Sequence, residues 1–271
     1  MSEMTFWVTS ADGTSIAYDR QGTGPAVILV GGVLDDGGEN APLAVLLAEH
    51  FTVYNYARRG RAPSGDTPPY AVEREVEDLD ALIAAAGGSA HLYGASSGGA
   101  LALEAAAAGS AIDKIVVWDL PYATGDDVRP RIERYLADTQ AAHDAGQDEE
   151  VLELFMRMTG GTDADIAAGK GTPLWAPSVG LASTLVHDPL FQSRYVLPTD
   201  RLGTITQPIL VLTEGTITSP YFAGLPSDYF DRIADAAAEA QPHAERRSLD
   251  GQDHVVNPDV MAPLLMSFFS Q

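Results

Sequence analysis

The chain contains no cysteine. Disulfides, thiolate metal sites and a cysteine nucleophile are therefore excluded. Lysine is nearly as scarce, occurring only at Lys114 and Lys170, so arginine carries most of the positive charge. Positive charge as a whole is short: 16 Lys and Arg stand against 38 Asp and Glu, a formal charge of −22. Such a surplus argues against nucleic acid or an anionic membrane surface as a partner. No uninterrupted apolar run approaches membrane-spanning length. The opening "MSEMTFWVTSADGT" has neither the basic nor the apolar region of a signal peptide. These absences lead us to expect a cytoplasmic protein acting on a small molecule. They say nothing about oligomeric state.

What is present is enough for one large domain: 271 residues, 45% of them apolar, can bury a substantial core. In the first third, short apolar runs alternate with turns. "TFWVTS" and "SIAYDR" flank Asp12-Gly13, a hairpin-turn dipeptide. "PAVILVGG" reads as a buried parallel strand, "APLAVLLAEH" as a helix and "FTVYNYA" as another strand. "EREVEDLDALIAAAG" is a helix ending at Gly87-Gly88. "AHLYG" is a strand, "GGALALEAAAAG" a helix of high intrinsic propensity, and "DKIVVWD" a further strand. This βαβα rhythm predicts an α/β fold with a mostly parallel sheet covered on both faces.

From about 121 to 200 the rhythm stops. "RPRIERYLADTQAAHDAG", "EEVLELFMRMTG" and "PSVGLASTLVHD" are helical in pattern, with no strand between them. Alternation resumes with "PILVLTE", "YFDRIADAAAEA", "HAERRSLD" and a last helix, "DVMAPLLMSFFS". The expected organisation is a core of residues 1–120 and 201–271 with a helical lid, 121–200. The lid would lie over the C-terminal edge of the sheet, where open α/β sheets bind ligands.

Gly94-Ala95-Ser96-Ser97-Gly98 fits G-x-S-x-G between a strand and a helix. A serine on a sharp, strained turn needs small residues two before and two after it, because backbones approach closely there. At a helix N-terminus its oxygen also meets free N–H groups and the favourable end of the dipole. Ser97, between Ala95 and Gly99, offers a second frame. Ser96 is preferred because it alone has glycine on both sides, leaving Ser97 to supply a backbone N–H. A serine needs a base. His50, His91, His143, His187 and His243 are read as surface or packing residues. His254, in the polar loop "LDGQDHVVNPD" before the last helix, follows Ser96 in the required order and is the expected general base.

On "VILVGG", "RRGR…SGDTPPYAVEREVEDL", "YGASSGGALALEAA", "VVWDLP" and "LDGQDHVVNPDVMAPLLMSFF", the sequence resembles the α/β-hydrolase superfamily over essentially its whole length. It is most similar to small bacterial members with a helical cap. The resemblance implies an eight-stranded sheet with the lid inserted after the sixth strand, no cofactor, and Ser96 and His254 in a catalytic triad. It also implies an oxyanion hole from the backbone N–H groups of Val33 and Ser97. There are departures: Gly31-Gly32 stands where such chains usually have His-Gly. "YARRGRAPS" has Ala57 and Pro63 where they have acids, and Ala95 precedes the nucleophile where histidine is common.

The acid of the triad is also displaced. Alignment on Pro220 puts Thr216 where the aspartate usually falls, and threonine cannot carry the charge. Asp119, at the end of "IVVWD", is the preferred substitute, since some members carry their acid at that strand. Glu214 is the alternative, and a dyad without an acid the third arrangement. Other acids are read structurally: "EREVEDLD" and "GQDEEVLE" as solvated helix faces, and Asp126-Asp127 and Asp163 with Asp165 as helix-start signals. No histidine–carboxylate spacing points to a metal. Gly32, Trp118, Tyr122 and Trp175 are expected to line the substrate pocket, with Tyr135, Phe155, Met156 and Met158 as further candidates from the lid. The reading is a serine hydrolase for a small, largely neutral or apolar ester or lactone. The alternatives are perhydrolysis, C–C cleavage or cyclisation in the same pocket, or an inactive small-molecule binding protein.

Overall fold

The computed structural model describes residues 5–123, 128–217, 222, 224–241 and 243–271. Pro220, Asp126 and Asp127 lie outside the described residues. Strands β1 (Thr5–Thr9) and β2 (Ser15–Gln21) form the expected antiparallel hairpin, with Gly13 at φ +88° in its turn. β3 (Ala26–Val30), α1 (Ala41–Leu47), β4 (Thr52–Tyr56), α2 (Val72–Ala85), β5 (Ala90–Ala95), α3 (Ser97–Ala108) and β6 (Ile112–Trp118) follow in alternation. Next come α4 (Arg129–Asp144), α5 (Asp148–Thr159), α6 (Asp163–Lys170), α7 (Trp175–Ala182), a short 3₁₀ turn (Ser183–Leu185), α8 (Pro189–Gln192) and α9 (Thr199–Leu202). Then β7 (Ile209–Thr213), α10 (Tyr229–Ala240), β8 (Ala244–Ser248) and α11 (Pro258–Phe269) complete the chain. Among the described residues no strand interrupts the helices between β6 and β7. The reading of Asp163 and Asp165 holds: Asp165 closes a capping box with Thr162 at the start of α6.

The eight strands form one sheet in the order β1-β2-β4-β3-β5-β6-β7-β8. β2 pairs antiparallel with β1 and β4, and every other pairing is parallel. The near-continuous apolar runs of β3 and β7 follow from this, because both faces of these strands are covered. Alternate residues divide between two cores. Ile28, Leu92, Ile115 and Val117 pack with α2, α3 and α10 on one side. Val27, Leu29, Val116 and Trp118 pack with α1 and α11 on the other.

Two expectations about the cavity wall are corrected by where the side chains pack. Trp118 points into the α1/α11 core and is fully buried, so it does not line a ligand cavity. Tyr122 is likewise buried in the opposite core. A third correction concerns "EREVEDLD". Glu75 and Asp78 of α2 are not solvated but buried, each held by a buried arginine. One helix face carries both apolar residues and these acids because "RRGR" after β4 supplies their counter-charges from beneath.

Candidate active site

The parallel register brings five segments to one edge of the sheet. Ser96 follows β5, the loop Gly31-Gly32-Val33 follows β3, Asp119 follows β6, Glu214 follows β7, and His254 lies between β8 and α11. Ser96 has φ +54° and ψ −124°, a conformation that costs a non-glycine residue about 1–3 kcal/mol. Close packing and its backbone N–H, which donates to Trp118 O at 2.8 Å, hold it there. The flanking glycines are required by contact. A Cβ on Gly94 would lie 2.5 Å from Gly98 O, and one on Gly98 would collide with Val30 O and Gly31 O.

Ser96 faces a cavity and Ser97 does not. Ser97 is fully buried, and its hydroxyl accepts from Arg58 Nη1 at 3.0 Å. The cavity, of about 150 Å³, is lined by Gly32, Val33, Ser96 and His254, closed by Leu190, Tyr195 and Phe230 among other apolar residues. Phe155 and Met158 also reach it. A second, larger cavity of about 450 Å³ adjoins it, walled by Leu34, Met156, Leu174 and Trp175. Gly32 and Trp175 thus border cavities as expected, whereas Tyr135 sits in the core. Neither the Val33 nor the Ser97 N–H has a hydrogen-bond partner among the described residues.

His254 Nδ1 lies 3.2 Å from Asp119 Oδ2. Asp119 is fully buried, and its other oxygen accepts from the Glu214 N–H at 2.9 Å. The His254 carbonyl accepts from Trp118 Nε1 at 2.7 Å, and the imidazole packs on Phe230 and Phe222 at centroid distances of 5.2 and 4.6 Å. Burial disfavours the charged imidazole, but the hydrogen bond and charge of Asp119, with Glu39 and Glu214, outweigh it and raise the His254 pKa. Among the described residues no hydrogen bond joins Ser96 Oγ to the ring. Such bonds are often long before substrate binds.

Glu214 is the second carboxyl of this cluster. It is fully buried, and among the described residues neither carboxyl oxygen has a hydrogen-bond partner. Burial and the neighbouring Asp119 charge push its pKa up to about 7. Asp119, Glu214 and His254 each place one donor atom within 4.8 Å of the others, a set that could meet a metal ion. Spacing along the chain did not foresee that cluster, because its members come from three loops.

Sequence reasoning missed Arg58. Its guanidinium pairs bidentately with Glu75, Nε and Nη2 each at 2.7 Å. It also donates to Gly31 O at 3.3 Å, to Ser97 Oγ at 3.0 Å and to Asp188 Oδ2 at 3.1 Å. Asp188 in turn caps α8, which carries Leu190 into the cavity wall. One buried side chain therefore ties the turn at Ser96, the loop after β3, α2 and the helices above the sheet. "RRGR" was the available signal, but its partners are spread over more than a hundred residues. The cavity walls from Leu190, Tyr195, Phe222, Tyr229 and Phe230 had no signal distinguishing them from core residues.

A model of the alpha/beta hydrolase family matches residues 27–264. The fold superposes on an alpha/beta hydrolase from Sphaerobacter thermophilus DSM 20745 with a TM-score of 0.86. That match has 41% identity over 97% of this chain and 100% of the other. An esterase from Rhodococcus sp. ECU1013 shares the fold at 22% identity and a TM-score of 0.67, covering 98% of each chain. An uncharacterized hydrolase of Bacillus subtilis (strain 168), YraK, is 33% identical over 96 residues, 34% of this chain and 35% of that protein's length.

Proposed function

The chain belongs to the alpha/beta hydrolase family, and from that premise we propose that it is a serine hydrolase cleaving a small, neutral or apolar ester or lactone. The observation that carries this reading is convergence: Ser96, His254 and Val33 border one largely apolar cavity, with the Ser97 N–H beginning the helix behind it. With Nδ1 engaged by Asp119, the other ring nitrogen serves as base. His254 takes the Ser96 hydroxyl proton as Oγ bonds to the carbonyl carbon, and the Val33 and Ser97 N–H groups receive the developing oxyanion. His254 then returns the proton to the leaving oxygen, and the acyl-enzyme forms. Water, deprotonated by the same ring, then bonds to the acyl carbon; the carbon–Oγ bond breaks, His254 returns the proton to Ser96 Oγ, and the acid leaves. Asp119 holds the ring and stabilises its charged form.

The cavity wall supports a neutral substrate. Among the described residues no Lys or Arg lines it, and Glu39 adds a carboxyl. A carboxylate-bearing substrate would meet Glu39 there and neither lysine nor arginine.

A fluorophosphonate probe should label wild-type protein at Ser96 and leave Ser96→Ala unlabelled, and short p-nitrophenyl esters should be turned over by the wild type alone. Absence of labelling in folded protein would eliminate the reading.

A further inference from the structure

The two cavities meet at a shared wall formed by Phe155, Thr159, Phe222, His254 and Val255. They differ in what else they touch. The smaller one contacts Gly32, Val33 and Ser96, and the larger one contacts none of these. We infer that this division splits an ester at its scissile bond. A compact, uncharged acyl group sits in the inner cavity and a larger apolar leaving group in the outer one. The inference rests on the serine-hydrolase reading above.

The orientation follows from the path of the proton. In the acylation step the Ser96 Oγ–carbon bond forms and the bond from carbon to the leaving oxygen breaks. The serine proton passes through His254 to that oxygen, so the leaving group departs as a neutral alcohol. The leaving oxygen must therefore lie against His254. The acyl carbon, by contrast, is bonded to Ser96, with its own oxygen at the Val33 and Ser97 N–H groups. A group attached to the acyl carbon stays on the Ser96 side, against Leu190, Tyr195, Tyr229 and Phe230. A group attached to the leaving oxygen runs past His254 into the cavity that touches His254 without Ser96.

Size and chemistry complete the assignment. About 150 Å³ on the acyl side is the volume that holds a benzene-sized group, whereas the leaving-group side offers about 450 Å³. The outer wall is mostly apolar, with Asp253, Thr172 and Ser178 among its polar members, and its largest ring has two partners. Trp175 Nε1 donates to Glu149 Oε1 at 3.2 Å, and Lys170 Nζ lies 5.6 Å from the ring centroid. Contacted at one edge and one face, the indole presents a flat surface to a flat or extended apolar alcohol. Leu174 beside it is 74% exposed, an apolar residue left uncovered at the mouth.

A pair of isomeric alkyl esters tests this: naphthylmethyl butanoate, with the bulk in the alcohol, and propyl naphthylacetate, with the bulk in the acyl group. Their intrinsic reactivities are similar, and the ratio of kcat/KM within one preparation is independent of how much protein is active. The first should be preferred by about tenfold or more, and Trp175→Ala should move the ratio toward one. Naphthylmethyl hydrogen succinate should be at least about tenfold slower than the butanoate, because its acyl carboxylate meets no cation. A wild-type ratio at or below one, or equal turnover of the succinate, overturns the division while fluorophosphonate labelling of Ser96 keeps the hydrolase reading intact. Loss of that labelling removes both.

Discussion

Nδ1 of His254 and Oδ2 of Asp119 stand 3.2 Å apart although 135 residues separate them in the chain. Glu214, the other acid of the cluster, donates its backbone N–H to the same aspartate, and among the described residues its carboxyl has no hydrogen-bond partner. The two acids are therefore not equivalent: one is bonded to the ring, and the other is a protonatable neighbour of the bonded one.

Substitution should expose the difference. Asp119→Asn keeps the shape but removes the charge that fixes the ring, and should lower kcat by about 10³–10⁴-fold. Glu214→Gln, measured at pH 8, should lose less than about tenfold, since it holds no hydrogen bond to the ring. Steady-state hydrolysis of a p-nitrophenyl ester distinguishes the two. Activity lost only in Glu214→Gln would assign the triad acid to Glu214.

The acid side of the pH profile should carry the mark of the cluster. The base must be neutral to act, and Asp119, Glu39 and Glu214 raise the His254 pKa, so kcat/KM should fall as pH drops through a value above the ordinary 6.5. Glu214→Gln removes one of the negative charges and should move that limb to lower pH. An unmoved limb would show that Glu214 does not act on the ring.

Stability should follow the same carboxyl with a definite sign. Glu214 titrates at about 7 in the folded protein against 4.5 for an ordinary glutamate. Between these values the unfolded chain has released its proton while the folded chain keeps it, so folding stability contributed by this group falls as pH rises and levels off above pH 7. The Tm of Glu214→Gln relative to wild type should therefore rise from about pH 5 to 7 and then stay constant. A difference in Tm that is flat across this window would place the group in solvent contact.

Arg58 should prove structural and functional together. Replacing it with methionine leaves Glu75 and Asp188 buried without their cation, a change that costs about 3–5 kcal/mol. Arg58→Lys keeps the charge but loses the fork, and should cost less in stability while still loosening the Gly31 and Ser97 contacts. Urea midpoints report the first effect, and the rate of fluorophosphonate labelling of Ser96 reports the second. Equal stability of the methionine variant and wild type would contradict the buried network.

Local patterns were legible where one segment decides its own structure. The glycine frame of "GASSGG" requires the turn at Ser96 because backbone atoms occupy the space of any Cβ. The apolar run of β3 and the alternation of strands with helices pointed to a sheet covered on both sides. The same patterns misplaced Trp118, because its face of β6 depends on strand alternation and on which helices cover that face. They misplaced Glu75 and Asp78 because a charged residue on a helix reads as solvated until a buried arginine is brought beneath it.

The sequence by itself determined the α/β alternation, the strained serine turn and the order in which Ser96, Asp119, Glu214 and His254 occur. These rest on interactions within a few residues, where spacing and backbone sterics suffice. Only the tertiary structure decided that Asp119 meets the His254 ring, that Glu214 is left unpaired beside it, and that two unequal cavities meet at His254. Those relationships depend on the register that brings the ends of β5, β6 and β7 to one edge, and on helices from a distant segment that close over them.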